Sequence, residues 1–234
     1  MCSSDLARHR IPPTLGSITV CDEVVDRSSH VRNIGVQLDT VLSMGHHVTD
    51  TCKSCFFHLR NISRIRKYLS LQSAATLVHA LISSRLDFCN SLLYGLPSYL
   101  IERLQKVQNA AARVVSLTRK QEHITPILKQ LHWLPVEQRI LYKTLLLTYK
   151  ALNDLAPDYI RDLLSVYVPR RNLRSSSSGR LVEPSYNLKS YGLRSFSCSA
   201  PRLWNPLPVE IRLSTSVMSF KRKLKTYLFK EVYN

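Results

Sequence analysis

The chain has 234 residues, 44% of them hydrophobic, which is enough to bury a core and excludes a purely disordered tail. Its 33 Lys and Arg stand against 16 acids, a formal net charge of +17 that favours contact with a polyanion. Residues 53–120 hold 11 basic and 2 acidic side chains and residues 170–230 hold 13 and 2, whereas 1–52 hold 4 and 6 and 121–169 hold 5 of each. Two basic blocks thus flank a neutral one.

Taken in chain order, residues 1–15, with Arg8, Arg10 and Pro12-Pro13, read as a disordered lead. Residues 16–45 carry Ile18, Val20, Val24, Val25, Val31, Ile34, Val36 and Leu38, partly alternating with polar residues. They predict a hairpin around a Cys-Asp-Glu turn and a third strand ending at Asp39. From residue 46 the period becomes helical. Val48, Cys52, Cys55, Leu59 and Ile62 form one apolar stripe, with Lys53, Arg60, Arg64 and Lys67 opposite.

A second helix is expected over 71–93, inward at Ala74, Leu77, Val78, Leu81 and Ile82, and ended by Gly95 and Pro97. A third, 99–118, places Leu100, Leu104, Val107, Ala111 and Val114 inward and Arg103, Lys106 and Arg113 outward. Thr125-Pro126 predicts the start of a short helix, and Leu134-Pro135 opens a longer one through Leu152. A short helix over 158–164 completes a helical domain spanning 46–168. Residues 169–190 begin with Pro169-Arg-Arg-Asn-Leu-Arg-Ser-Ser-Ser-Ser-Gly-Arg180, a flexible basic loop. In the last segment, 191–234, the aromatics and prolines of 191–211 predict an extended run, followed by an amphipathic helix over 217–229. The fold class is therefore mainly α, a helical bundle with a small antiparallel β element at its N-terminal end.

Chemistry-bearing motifs are scarce. Cys52-Lys-Ser-Cys55 is the only Cys-x-x-Cys, and it lies on the buried stripe of a helix with no second ligand pair at zinc-finger spacing. No Gly-x-Ser-x-Gly, phosphate-binding glycine loop or His-Glu-x-x-His occurs. Asp22, Glu23, Asp26 and Asp39 are the nearest approach to a carboxylate cluster and suit turns better than a two-metal centre. On these grounds no catalytic residue, no metal and no cofactor is assigned. Six dispersed cysteines and the absence of an apolar leader point to a reducing intracellular compartment, cytoplasmic or nuclear, and no apolar run approaches the ~20 residues of a membrane span.

The remaining signal is basic. Arg60, Arg64, Arg66, Lys67, Arg103, Lys106, Arg113, Arg119 and Lys120 sit on helices that also own an apolar face, and Arg170, Arg171 and Arg174 sit in the basic loop. Such helices can dock in a core and still offer cations to phosphates, which positions a duplex without reading its bases. These twelve are the candidate nucleic-acid-binding residues.

Several segments, in this order, resemble the region after the catalytic palm in jockey-like non-LTR retrotransposon reverse transcriptases. They are Val31-Arg-Asn-Ile-Gly-Val-Gln-Leu-Asp39, Leu42-Ser-Met-Gly-His-His-Val48, Ser84-Arg-Leu-Asp-Phe-Cys-Asn-Ser-Leu-Leu-Tyr-Gly-Leu-Pro97, Leu104-Gln-Lys-Val-Gln-Asn-Ala-Ala-Ala-Arg-Val114, Leu131-His-Trp-Leu-Pro-Val136 and Ala200-Pro-Arg-Leu-Trp-Asn-Pro-Leu-Pro208. The resemblance implies that 16–45 are the last palm strands, that 46–168 are a thumb-like domain holding primer and template by their backbones, and that 191–234 are a C-terminal extension. The family's aromatic-Ala-Asp-Asp motif has no counterpart, and the sequence has no Asp-Asp pair. The chain is therefore expected to be a truncated RNA-directed DNA polymerase segment without polymerase activity, able to bind primer–template nucleic acid non-specifically and lacking its palm and fingers polypeptide. The alternative is a helical protein-interaction module, or a relic without a selected role.

Overall fold

A computed structural model describes residues 17–26, 28–169, 179–186 and 189–234. The expected disordered lead and the loop residues Arg170, Arg171 and Arg174 lie outside the described residues. The chain divides into two compact units, one ending at His47 and the other running from Val48 to Asn234. The described residues are mainly helical, with two small antiparallel sheets in the first unit.

In the first unit, β1 (Ser17–Val20) pairs with β2 (Glu23–Asp26), and β3 (His30–Asn33) pairs with β4 (Val36–Asp39). These are two separate hairpins, in place of the hairpin and single further strand that the pattern predicts. Each closes through two residues of positive φ, Cys21 (49°) with Asp22 (67°) and Ile34 (44°) with Gly35 (83°). That is the backbone of the tight turns whose twist matches paired strands. Ile34 hides the second turn from a pattern reading because a β-branched side chain is strained in the left-handed region.

Asp39 then closes the path into the first helix. Its carboxylate accepts from Val41 N at 3.1 Å, Ser43 N at 2.8 Å, Ser43 Oγ at 2.8 Å and Met44 N at 3.1 Å. Burial pushes its pKa up, and these hydrogen bonds outweigh that and hold it below the usual carboxylate value.

Helix α1 (Gly45–Ile65) buries Val48, Cys52, Cys55, Leu59 and Ile62, the stripe read from the sequence. Burial foremost, then neighbouring Cys52, pushes the Cys55 thiol up to about 11, so it packs as a protonated, apolar group. The expected second helix runs without a gap from Leu71 to Asp87, as α2 (Leu71–Val78), a π turn over His79–Ser83 and α3 (Ser84–Asp87), and its last part is a separate 3-10 turn over Asn90–Leu93. Ser70 caps α2 by accepting from Ser73 N, and Cys89, at φ 50°, ends the helical path before the last turn.

Helix α4 (Ser98–Ser116) follows Pro97 and ends on left-handed Leu117. It buries Val115, whereas the expected Val114 is only half-buried. From α4, Gln108 Nε2 donates to Leu134 O at 2.8 Å and Gln105 Oε1 accepts from Val136 N at 2.8 Å. These two bonds fix the entry into the long helix. A short α5 (Ile124–Gln130) begins after His123, two residues earlier than Thr125-Pro126 implies, and α6 (Val136–Leu152) follows.

Helices α7 (Asp158–Arg161), α8 (Lys189–Gly192), α9 (Phe196–Trp204), α10 (Val209–Arg212) and α11 (Val217–Tyr233) complete the second unit. The run expected to be extended over 191–211 is instead largely helical. Pro201 sits within α9, where it removes one ladder N–H, and Pro208 precedes α10, where its fixed φ suits a helix start.

Nor do residues 191–234 stand apart from the helical domain. Leu134, Leu145 and Tyr149 share one core with Trp204, Phe220, Leu224 and Leu228. Tyr149 stacks on Phe220 with ring centroids 4.2 Å apart, and its hydroxyl donates to Ser214 O at 2.8 Å. Trp204 Nε1 donates to Gly179 O at 2.8 Å, so both large aromatics bury their rings with their polar atoms satisfied.

Candidate nucleic-acid interface

Two cross-links set the relation of α1 and α4. Near their N-terminal ends, Arg103 Nη2 donates to Thr49 Oγ1 at 3.1 Å. At their C-terminal ends, Arg66, just after α1, donates from Nε to Val114 O at 2.9 Å and from Nη2 to Val115 O at 2.8 Å. The helices therefore run side by side in the same direction, bridged at both ends.

Between them lies an open cleft of ≈ 560 Å³. Thr49, Cys52, Lys53, Phe56, Phe57 and Arg60 form one wall, and Arg103 and Lys106 form the other. Four cations meet there, no acidic side chain among the described residues lines it, and Phe56 and Phe57 are exposed beside them. Cys52 forms part of the wall with its thiol pKa raised by burial, against the opposing pull of the Arg103 charge.

Of the twelve sequence candidates, the cleft brings together Arg60, Arg103 and Lys106. Arg64 and Lys67 are exposed on or just beyond α1 outside it, and the Lys67 ammonium rests 4.8 Å from the Tyr68 ring centroid. Arg119 and Lys120 are exposed past the end of α4, and Arg113 is half-buried, with Nη2 donating to Glu122 O at 3.1 Å.

Arg66 is a correction to the candidate set. It is 7% exposed, and its guanidinium also donates from Nη1 to Leu69 O at 2.8 Å. Three backbone carbonyls occupy its donors, two of them at the end of α4 where a helix leaves its oxygens unpaired. It is a helix clamp, turned away from any phosphate.

Lys53, Phe56 and Phe57 are members of the cleft that the candidate set lacks. Their signal is present in the sequence: Phe56-Phe57 falls on the polar side of the α1 stripe, where two adjacent aromatics have no core to enter.

Among the described residues no group of three or more His, Cys, Asp or Glu could hold a metal ion, and no helix is long and apolar enough to cross a membrane. In comparisons with protein-family models, curated proteins and solved structures, nothing matches this chain.

Proposed function

We propose that the chain is the C-terminal, thumb-like part of a non-LTR retrotransposon reverse transcriptase, and that it holds primer–template nucleic acid by its phosphate backbone without performing polymerisation itself. The observation that carries the binding is the α1–α4 cleft, where Lys53, Arg60, Arg103 and Lys106 converge and no acid lies among the lining residues. Guanidinium and ammonium groups on two parallel walls suit a polyanion because each phosphate contact releases condensed counter-ions. Phe56 and Phe57 beside them offer faces on which bases or sugars of an unpaired stretch can stack.

The lineage rests on the order of the resembling segments between Val31 and Pro208. The lack of polymerisation rests on the absent Asp-Asp pair, since in-line phosphoryl transfer through two metal ions needs converging carboxylates.

Fluorescence anisotropy with an RNA–DNA hybrid over a salt series tests the binding. With about four phosphate contacts, affinity should fall on the order of a hundredfold between roughly 50 and 200 mM salt. R60E/K106E should weaken binding at least tenfold and flatten the salt slope while leaving the melting temperature in place. A salt-independent affinity, or a charge-reversed protein that binds like the parent, would refute the reading.

A further inference from the structure

A second pocket, of ≈ 370 Å³, opens elsewhere in the helical unit, among the π turn and α3, the 3-10 turn after it, α6 and α11. Its floor is Asn90, Trp133 and Leu134, all buried, and its exposed rim carries Lys143 and Lys225. Neither ammonium has an acidic partner within ion-pair range among the described residues. The acid lining the pocket, Asp87, is already engaged: Arg139 Nε donates to its Oδ1 at 2.8 Å, and Arg139 Nη2 pairs with its Oδ2. The mouth is therefore cationic, with the one acid among its described lining residues committed to Arg139.

The floor adds a second requirement. Asn90 is 3% exposed, and its amide nitrogen faces Asp87 Oδ1 and Arg139 O, which fixes the amide orientation. Its buried carbonyl oxygen has no hydrogen-bond partner among the described residues, a cost that a hydrogen-bond donor would relieve. Trp133 also lines the pocket, its ring contacted edge-on by His79 with centroids 5.4 Å apart. His79 itself is held below its ordinary pKa by burial first and by the Arg139 charge next, with Asp87 opposing and Lys225 adding, so the imidazole already senses a surplus of positive charge.

We propose that this pocket binds a single nucleotide, with its phosphate between Lys143 and Lys225 and its base on the aromatic floor near Asn90. An anion alone would meet the rim and leave the floor unused. A planar apolar ligand alone would leave the two cations uncompensated. The volume lies at the small end of the ~300–1,000 Å³ typical of ligand sites, which suits one nucleotide and excludes a longer stretch of strand. The site is separate from the α1–α4 cleft, and its occupancy does not depend on what that cleft binds.

Trp133 supplies the readout: titrating adenosine 5′-monophosphate into the full chain should quench tryptophan fluorescence saturably. Adenosine and inorganic phosphate should each bind at least tenfold more weakly. K143Q/K225Q should weaken the nucleotide at least tenfold, and R60E/K106E should leave it unchanged. A 5′-phosphorylated single-stranded oligonucleotide distinguishes the source of the ligand, since tighter binding than the free nucleotide, lost in K143Q/K225Q, identifies a strand end. Should the double variant fail to fold, the parent still decides by NMR, because a bound phosphate must raise the titration midpoint of His79. No saturable quenching, inorganic phosphate binding as tightly as the nucleotide, or an unmoved His79 midpoint overturns the proposal.

Discussion

The hairpin unit and the helical unit reach their conformations by different means. Between residues 17 and 47, Val20, Val24, Val25, Val31 and Ile34 stay exposed and, of the described strand side chains, Val36 alone is buried, so the strands hold chiefly through local terms: tight turns, β-branched residues and paired backbone bonds. From Val48 onward, order comes from burial, with Trp204, Tyr149 and Phe220 wholly enclosed and joined to residues far away in the chain. Local preference gives a shape, and long-range packing gives cooperativity. Two-stranded hairpins of this kind are marginal in isolation. Their amides should exchange with solvent far faster than those of the core helices.

The largest effect on this contrast should come from the helical core. Phe220→Ala removes a fully buried ring stacked on Tyr149 and should cost about 3–5 kcal/mol, read as a lower midpoint in urea unfolding. A loss under about 1 kcal/mol would mean that the C-terminal helix is not integral to the core.

Next in size is Arg66→Ala. It strips three backbone carbonyls of a buried cationic donor, and bonds of that kind contribute roughly 1.5–3 kcal/mol each before any compensation by water. A total of about 3 kcal/mol is expected once water replaces part of the loss, with amide exchange rising first near the end of α4. If Arg66→Ala instead reduced nucleic-acid affinity at unchanged stability, the assignment of Arg66 as a clamp would be wrong.

The smallest effect has the opposite sign and belongs to the hairpins. Ile34 is 86% exposed at φ 44°, so Ile34→Asn loses no packing and relieves strain at a turn that favours Asn-Gly. Protection of the β3 and β4 amides should rise by about 1 kcal/mol, with the global midpoint hardly moved. Unchanged protection would show that the turn does not limit the hairpin.

What is legible in the sequence divides along the same line. The α1 stripe is readable because burial at 3.6-residue spacing leaves its mark in residue type, and Arg60, Arg103 and Lys106 are readable as cations on the opposite faces. Their meeting in one cleft is not, because it depends on α1 and α4 running side by side, which cross-links distant in sequence decide. Arg66 stands between Arg64 and Lys67 and carries the same chemistry. Only its position at the foot of α4 separates a buried clamp from an exposed charge. The prolines mislead for a related reason: Pro201 removes one ladder N–H, a loss α9 tolerates because the aromatic core holds the segment, while Pro208 stands at the N-cap of α10, where there is no ladder bond to lose. The π turn over His79–Ser83 has no compositional sign at all, since its extra residue is registered only in the hydrogen-bond ladder.

The paired ties between α1 and α4 also act as a fixed gauge. With the Arg103–Thr49 bond at one end and the Arg66 fork at the other, the two rails cannot spread without breaking charge-assisted bonds. Whatever enters must fit the standing separation by the swing of long Lys and Arg side chains, while the backbone keeps its spacing. Such a furrow gauges the thickness of whatever lies in it.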